Sequence, residues 1–171
     1  MKNHRICMIS AILVITFISG CNNGLTQNQN QQQPVGLVHT EGIKVVYQIK
    51  SDGSKKGVGS GLYYLKKLSD TYDKLGVDRG NRQIHGVFHG EAGYMLLKDE
   101  AFEREKGIPE NPNKDIIEKL LKNGVKLELC ASTMKNNGWQ KSDVLEGITI
   151  VIGAYPRIID LQLSGFAYIR F

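Results

Sequence analysis

The sequence predicts one α/β domain with a mainly parallel five-stranded sheet and helices on both faces, a three-layer α/β/α arrangement. Short runs of β-branched and apolar residues alternate along the chain with longer segments whose apolar residues recur every three or four positions. Strict alternation of strands and helices favours parallel pairing, with the helices as crossover connections. Residues 41–171, about 130 in number, are the size of one ordinary domain.

The first half of this domain contains two predicted strands. Residues 43–49 are β-branched and apolar and predict the first strand. A glycine-rich segment, residues 53–61, leads into a helix with one apolar face, and Gly76 favours its end. The second strand covers residues 83–89, and a short helix is predicted over residues 92–97.

The second half continues the alternation. The charged residues 99–110 are typical of a loop, and Asn111 with Pro112 favours the start of a helix that ends at Gly124. The remaining predicted elements are a strand over residues 125–130, short helical pieces over 132–138 and 142–145, a strand over 148–152, a helix over 156–163 and a strand over 166–170.

The start of the chain has the features of an export signal rather than of a folded element. Basic residues precede a mostly apolar stretch, residues 6–18, which is shorter than the roughly 20 residues of a membrane-spanning helix. Ile18-Ser19-Gly20-Cys21 resembles a bacterial lipobox, a signal in which the chain is cut before a cysteine that carries diacylglycerol. We predict a lipoprotein signal peptide over residues 1–20 and lipidation of Cys21. An ordinary secretory signal is the alternative.

Residues 21–40 are rich in Asn and Gln, have no apolar period and predict a flexible tether between the anchor and the domain at 41–171. Asn22 stands where an Asp is usually associated with retention in the inner membrane. We therefore expect an exported protein that is held at the outer membrane, facing the periplasm, and that contacts the membrane through its lipid anchor only.

The charge pattern argues against nucleic-acid binding. The formal net charge is +5, and removal of Lys2 and Arg5 with the signal peptide lowers it to +3. The remaining lysines are scattered at helix-surface spacing rather than gathered in a stripe with interleaved aromatic residues. We expect no nucleic-acid partner.

Cys130 is the thiol that remains free once the signal peptide is removed and Cys21 is lipidated. It lies where the third predicted strand meets a helix, and the N–H groups and dipole at a helix start favour a nucleophilic thiolate. The other interpretation is a small packed side chain, since free cysteine is among the most buried residue types. An unpaired thiol in an oxidising compartment must be either shielded or used.

His89 ends the second predicted strand, and the carboxyl ends of parallel strands meet at one edge of the sheet. There it could act as the proton-transfer partner of Cys130, although a histidine beside a tight turn is often structural. His85 is expected to pack. These side chains are too few for a metal centre, so no metal site is predicted. The glycines of residues 53–61 fit neither phosphate-loop pattern, so we expect no cofactor.

Three segments of the domain carry a family resemblance. They are Val87-Phe88-His89-Gly90, residues 120–134 around Cys130, and residues 160–170, which follow the pattern of Leu-Gln, two residues and Gly-Tyr-Ala-Tyr-Ile with Phe166 in place of the first Tyr. Together they resemble the DsrE/DsrF-like family, a sulfur-relay family that includes the Tus sulfur-transfer subunits. The resemblance covers residues 38–171. It implies a small α/β fold with a parallel five-stranded sheet that assembles as a homotrimer or hexamer.

The resemblance also implies a function. In the sulfur-relay members a cysteine at the end of a strand carries sulfur as a persulfide, and Cys130 matches that position. We expect a membrane-anchored sulfur-handling domain in which Cys130 accepts sulfur, His89 assists proton transfer, and the partner is a sulfur donor or acceptor protein. Known relay members are cytoplasmic, whereas this chain is expected to be exported and lipid-anchored. The alternatives are a non-catalytic ligand-binding or assembly module and a thiol redox sensor, and whether the protein is an enzyme stays open.

Overall fold

The computed structural model describes residues 34–171, so the predicted signal peptide, Cys21 and most of the predicted tether lie outside the described residues. Residues 36–171 form one compact unit. Among residues 34–171, no helix combines the length and the apolar character that crossing a membrane requires.

Seven strands are present in the described part of the chain. They are β1 (Ile43–Ile49), β2 (Ser54–Lys55), β3 (Val58–Gly59), β4 (Arg82–Phe88), β5 (Lys126–Cys130), β6 (Thr149–Val151) and β7 (Ala167–Arg170). Five of them form one sheet in the order β6-β5-β4-β1-β7, and every neighbouring pair is parallel. The predicted parallel five-stranded sheet is therefore confirmed.

The glycine-rich segment forms a two-stranded hairpin, β2 and β3, which the sequence analysis did not predict. Lys56 and Gly57 in its turn both have positive φ, 52° and 82°, as a tight two-residue hairpin turn requires. Gly61 follows at the start of the first helix, where an added Cβ would lie 2.5 Å from Cγ2 of Ile49. The glycine thus lets the helix pack closely on β1.

Within residues 34–171, five α-helices connect the strands. They are α1 (Ser60–Lys74), α2 (Asp99–Lys106), α3 (Lys114–Lys122), α4 (Ala131–Asn137) and α5 (Ala154–Leu163). Short 3-10 turns cover Arg79–Asn81, Gly90–Leu96 and Lys141–Asp143. The second of these occupies the place of the short helix predicted over residues 92–97.

The prediction of a loop over residues 99–110 was wrong, because the first eight of these residues form α2. Asp99 lies in the first turn, where an acidic side chain is favoured by the helix dipole, and Gly107 ends the helix in the left-handed conformation with φ of 69°. Ala101 and Phe102 are the buried residues of this helix. Two apolar positions among many charges give too weak a period to reveal a helix in the sequence.

The two faces of the sheet are covered differently. One face, here called the apolar face, forms a core with residues of α1, α2, α3 and α4 through the strand residues Val45, Tyr47, Ile49, Ile84, Phe88, Leu127 and Leu129. The other, here called the α5 face, packs Val46 and Val87 against Ala154, Ile158 and Leu161 of α5. Because side chains alternate along a strand, the α5 face also receives Gln48, His85, Glu128 and Cys130.

Candidate functional site

Cys130 is both the last residue of β5 and the residue that caps the start of α4, so the strand passes into the helix directly. This is the junction that the sequence predicts. The side chain is 5% exposed and lies on the α5 face, in contact with the apolar residues of α5. The thiol is therefore largely buried, and a cleft at the carboxyl end of the sheet provides access to it.

Hydrogen-bond donors surround the Cys130 sulfur. Burial raises the pKa of the thiol, but the N–H and hydroxyl groups of Thr133 and the N–H groups of Ala154 and Ser132 lower it by more. The net result is a pKa below the ordinary value for a cysteine. The donors belong to the first turns of two helices, α4 and α5, whose positive dipole ends both favour an anionic sulfur.

Thr133 has a fixed orientation toward the sulfur. Its Oγ1 accepts a hydrogen bond from the N–H of Gly90 at 3.0 Å, which leaves the hydroxyl proton to be donated to Cys130. Gly90 has a φ of 58°, and this left-handed conformation turns the chain back immediately after His89. The sequence analysis missed Thr133, because a hydroxyl residue in the first turn of a helix is a common feature without a distinctive signal.

His89 lines the same cleft as Cys130, so the structure brings the two predicted site residues together. The Nε2 atom of His89 lies 2.8 Å from Nε2 of Gln48, whose Oε1 accepts a hydrogen bond from the Tyr168 hydroxyl. An amide nitrogen can only donate, so this network assigns the imidazole proton to Nδ1. Burial lowers the pKa of His89, and the charges of Lys50 and Arg170 lower it further, so the ring is held neutral.

His89 and Cys130 have different hydrogen-bond partners. The leading influences on the pKa of Cys130 are burial and the donors from Thr133, Ala154 and Ser132, and His89 is not among them. The thiolate is therefore favoured without a histidine base. The role of His89 in proton transfer stays a prediction, and the assigned tautomer makes the neutral ring a hydrogen-bond donor at Nδ1.

The cleft above Cys130 has a volume of about 550 Å³. Its walls come from the turn after β4, the first turns of α4, and residues 152–156 around the start of α5, and no carboxylate lines it. Ile152 and Tyr155 are exposed at its rim. A space of this size admits a small molecule or an extended segment of another protein. Across residues 34–171, no three His, Cys, Asp or Glu side chains gather closely enough to hold a metal ion.

A buried ion pair lies next to Cys130 on the α5 face. Glu128, two residues before the cysteine in β5, is 2% exposed. Its Oε2 is 2.7 Å from Nε of Arg157, and its Oε1 is 2.9 Å from a terminal guanidinium nitrogen of the same residue. Burial raises the pKa of Glu128, but His85 and Arg157 lower it by more, so the carboxylate is ionised.

His85 completes this cluster from the neighbouring strand. Its Nδ1 lies 2.7 Å from Oε1 of Glu128, and its ring meets that of Phe166 edge to face at 5.0 Å. The expectation that His85 packs is met, but the residue also binds a carboxylate. Sequence reasoning missed Glu128 and Arg157, because a glutamate between two leucines is typical of a strand with one solvent-facing side.

Comparisons with known proteins agree with the fold. A model of the DsrE/DsrF-like family matches residues 44–171. The solved structure of MTH1491, a protein of unknown function from Methanobacterium thermoautotrophicum, has 22% identity and a TM-score of 0.56, covering 75% of this chain and 99% of that chain. The ychN protein from E. coli has 16% identity and a TM-score of 0.52, covering 75% of this chain and 100% of that chain. No curated protein matches the sequence.

These matches confirm the family resemblance that the sequence motifs indicated and the predicted fold class. At such identities the two structures show the likeness of the fold alone.

Proposed function

The chain belongs to the DsrE/DsrF-like family, and from this premise we propose that it takes part in a sulfur relay in which Cys130 carries sulfur as a persulfide. The observation that carries the proposal is the position of Cys130 at the junction of β5 and α4, where it lines a cleft with His89, Thr133 and Ala154. Donors on Thr133, Ala154 and Ser132 lower the pKa of its thiol. Donors that favour a thiolate also favour the anionic terminal sulfur of a persulfide, because both are compact anions.

The proposed step is a balanced displacement that needs no oxidant. The Cys130 thiolate attacks the terminal sulfane sulfur of a persulfide or polysulfide donor and forms a new S–S bond. The donor's own S–S bond breaks, and its electron pair leaves with the donor as a thiolate. His89, which is neutral, would donate a hydrogen bond from Nδ1 to this departing sulfur, and any proton that the thiolate takes up would come from solvent. The product is Cys130 with an additional anionic sulfur, which an acceptor thiolate can remove by the same chemistry.

Intact-mass measurement tests the proposal. The full chain with Cys7→Ser and Cys21→Ser has Cys130 as its single thiol, and it is exposed to polysulfide. We expect added mass equal to one or more sulfur atoms, reversed by a reductant and absent when Cys130→Ser is also present. Absence of an adduct on the folded chain would reject the proposal. A thiol that also fails to alkylate would favour a binding or assembly module, and intermolecular disulfides in nonreducing gels would favour a redox sensor.

We also propose that this chemistry occurs at a membrane surface outside the cytoplasm. The support is the sequence alone, namely the lipobox-like residues 18–21 and the polar tether over residues 21–40. Fatty-acid labelling should mark the wild-type chain and not Cys21→Ser, which should move from the membrane to the soluble fraction. Equal labelling of the two chains would contradict the lipid anchor.

We further propose that the chain forms a homo-oligomer, a trimer or hexamer, through the outer surface of α5. Tyr155, Ile159 and Leu163 follow one another at four-residue spacing on this helix and are 61%, 56% and 86% exposed. An apolar stripe of this kind is usually covered in solution, and a second copy of the chain is the occupant that the family resemblance favours.

Sedimentation equilibrium measures this assembly. Ile159→Asp should dissociate the oligomer, because it introduces an unpaired charge into the apolar stripe. Ile108→Asp is the matched control, since Ile108 is similarly exposed but lies outside α5. A wild-type chain that sediments as a monomer would reject the proposal.

A further inference from the structure

We infer that the Glu128–Arg157 ion pair is a positioning device that holds the first turn of α5 against β5, so that Ala154 stays packed beside Cys130. This inference rests on the proposed function, because it concerns how an anionic sulfur at Cys130 is maintained. Glu128 and Arg157 are positioning residues rather than catalytic residues, since they act through α5.

The start of α5 is attached to β5 at two points. Glu128 and Cys130 are consecutive inward positions of β5, and Ala154 and Arg157 lie one turn apart at the start of α5. Ala154 packs with Cys130 in one cluster, where its N–H lowers the pKa of the thiol, and the Arg157 guanidinium binds the Glu128 carboxylate. One turn of helix is thereby attached to two successive positions of one strand, which fixes both its distance from the strand and its rotation.

An ion pair suits this task better than an apolar contact. A buried pair adds little net stability, because the loss of hydration nearly offsets the attraction between the charges. A bidentate guanidinium–carboxylate contact is directional, however, whereas the apolar residues Ala154, Ile158 and Leu161 restrain sliding of α5 much less. Each partner is also held from its other side, Glu128 by His85 at 2.7 Å and Arg157 by Asp160 at 2.9 Å.

Charged and titratable groups lie on several elements around the α5 face and the cleft. They are Lys50 after β1, His85 and His89 of β4 and its end, Glu128 of β5, Tyr155, Arg157 and Asp160 of α5, and Arg170 of β7. A test must therefore separate a change in the position of α5 from a direct effect of charge on Cys130.

The test measures the apparent pKa of Cys130, by ultraviolet thiolate absorbance and by alkylation rate across pH, in the full chain that carries Cys7→Ser and Cys21→Ser. Arg157→Met should raise this pKa by about one unit, which is about tenfold less thiolate below the pKa. The shift reflects the weakening of one charge-assisted hydrogen bond to the sulfur.

Two further variants separate position from charge. Glu128→Gln removes a negative charge, so a direct charge effect would lower the pKa of Cys130, whereas a displaced α5 would raise it. Arg157→Lys keeps the positive charge but loses the bidentate contact, so only a positional role raises the pKa. A fall with Glu128→Gln or an unchanged pKa with Arg157→Lys would overturn the inference. If Arg157→Met does not fold, these two variants decide the question.

Arg82→Met is the matched control. Arg82 is buried and pairs with Asp73, at the opposite end of β4 from the cleft. Its loss should lower stability and leave the pKa of Cys130 unchanged, and a shift equal to that of Arg157→Met would count against positioning.

Polysulfide loading of the parent chain is measured separately. If the parent chain does not load sulfur but the variants of Glu128 and Arg157 shift the pKa of Cys130, the sulfur relay is rejected and the positioning role is retained. If the parent chain loads normally but the variants leave the pKa unchanged, the positioning role is rejected and the sulfur relay is retained.

Discussion

The apolar face and the α5 face of the sheet are built from alternate residues of the same strands, yet they have opposite characters. In β5, Leu127 and Leu129 point into the apolar core, whereas Glu128 and Cys130 point toward α5. Four helices, α1 to α4, contribute to the core on the apolar face, and α5 alone covers the other face. A parallel sheet that is buried on both sides can therefore draw its stability mainly from one face and keep polar chemistry on the other.

The polar groups of the α5 face are satisfied in spite of their burial. Gln48 binds His89, and Glu128 binds both His85 and Arg157. Within residues 34–171, the buried side-chain polar atom that lacks a partner is Oγ of Ser69 in α1, on the apolar side. The difference shows that hydrogen bonding, rather than apolar contact, maintains the arrangement around the cysteine, because unpaired buried polar groups are costly.

The largest expected effect comes from Leu129→Ala, which creates a cavity on the apolar face. We expect the free energy of unfolding to fall by about 2–5 kcal/mol, as for other buried leucines. The pKa of the adjacent Cys130 should stay unchanged, because the donors around the sulfur belong to the other face. Urea denaturation and thiol titration of the same variant check both statements. A pKa shift as large as that of Arg157→Met would show that packing on the apolar face also controls the surroundings of Cys130.

A smaller effect is expected from Thr133→Val, which keeps the shape of the side chain and removes its hydroxyl. The Cys130 sulfur loses one donor, so its pKa should rise by about one unit, or about 1.4 kcal/mol. The alkylation rate across pH measures this change. Thr133→Ser is the control, since it retains the hydroxyl and should titrate like the wild type. An unshifted Thr133→Val would show that the helix N–H groups are sufficient.

The smallest effects concern stability at alkaline pH, and they have opposite signs on the two faces. Burial and Tyr72 raise the pKa of Tyr47 on the apolar face, so its contribution to stability is lost as pH rises through the folded-state pKa. The pKa of Cys130 is lowered, so its contribution is lost as pH falls through the folded-state pKa and is complete above the unfolded value. As pH rises across this range, Tyr47→Phe should abolish a decrease in the free energy of unfolding. Cys130→Ser should abolish an increase in it. Parallel pH profiles of the two variants would contradict this assignment.

Local patterns predicted the five strands of the main sheet and the position of Cys130 at the end of one of them. β1 has the bounds that its β-branched residues indicate, and β5 ends at Cys130 as the sequence suggests. Each of these features depends on residues that are adjacent in the chain. The charged helix α2 was missed because its buried face consists of two residues.

The surroundings of the cysteine could not be read in the same way. Ala154 and Arg157 belong to α5, which follows β5 in the chain only after α4 and β6. The residues near Cys130 in the sequence therefore do not predict their presence beside β5. In the sequence, Glu128 has the pattern of a solvent-facing strand residue, but in the structure α5 covers it. The donor set around the sulfur is a product of tertiary packing, and single-sequence patterns do not contain that information.

The position of β1 inside the sheet has a consequence for biosynthesis. β1 leaves the ribosome before the other strands of the sheet, but one of its edges is paired by β7, in a register that joins Val45 to Ala167. Those backbone groups stay open until β7 has been made, and closing so long a loop is slow. Nascent chains therefore expose an unpaired edge that can recruit strands from other molecules. Any chaperone that protects this edge would have to act until β7 is released.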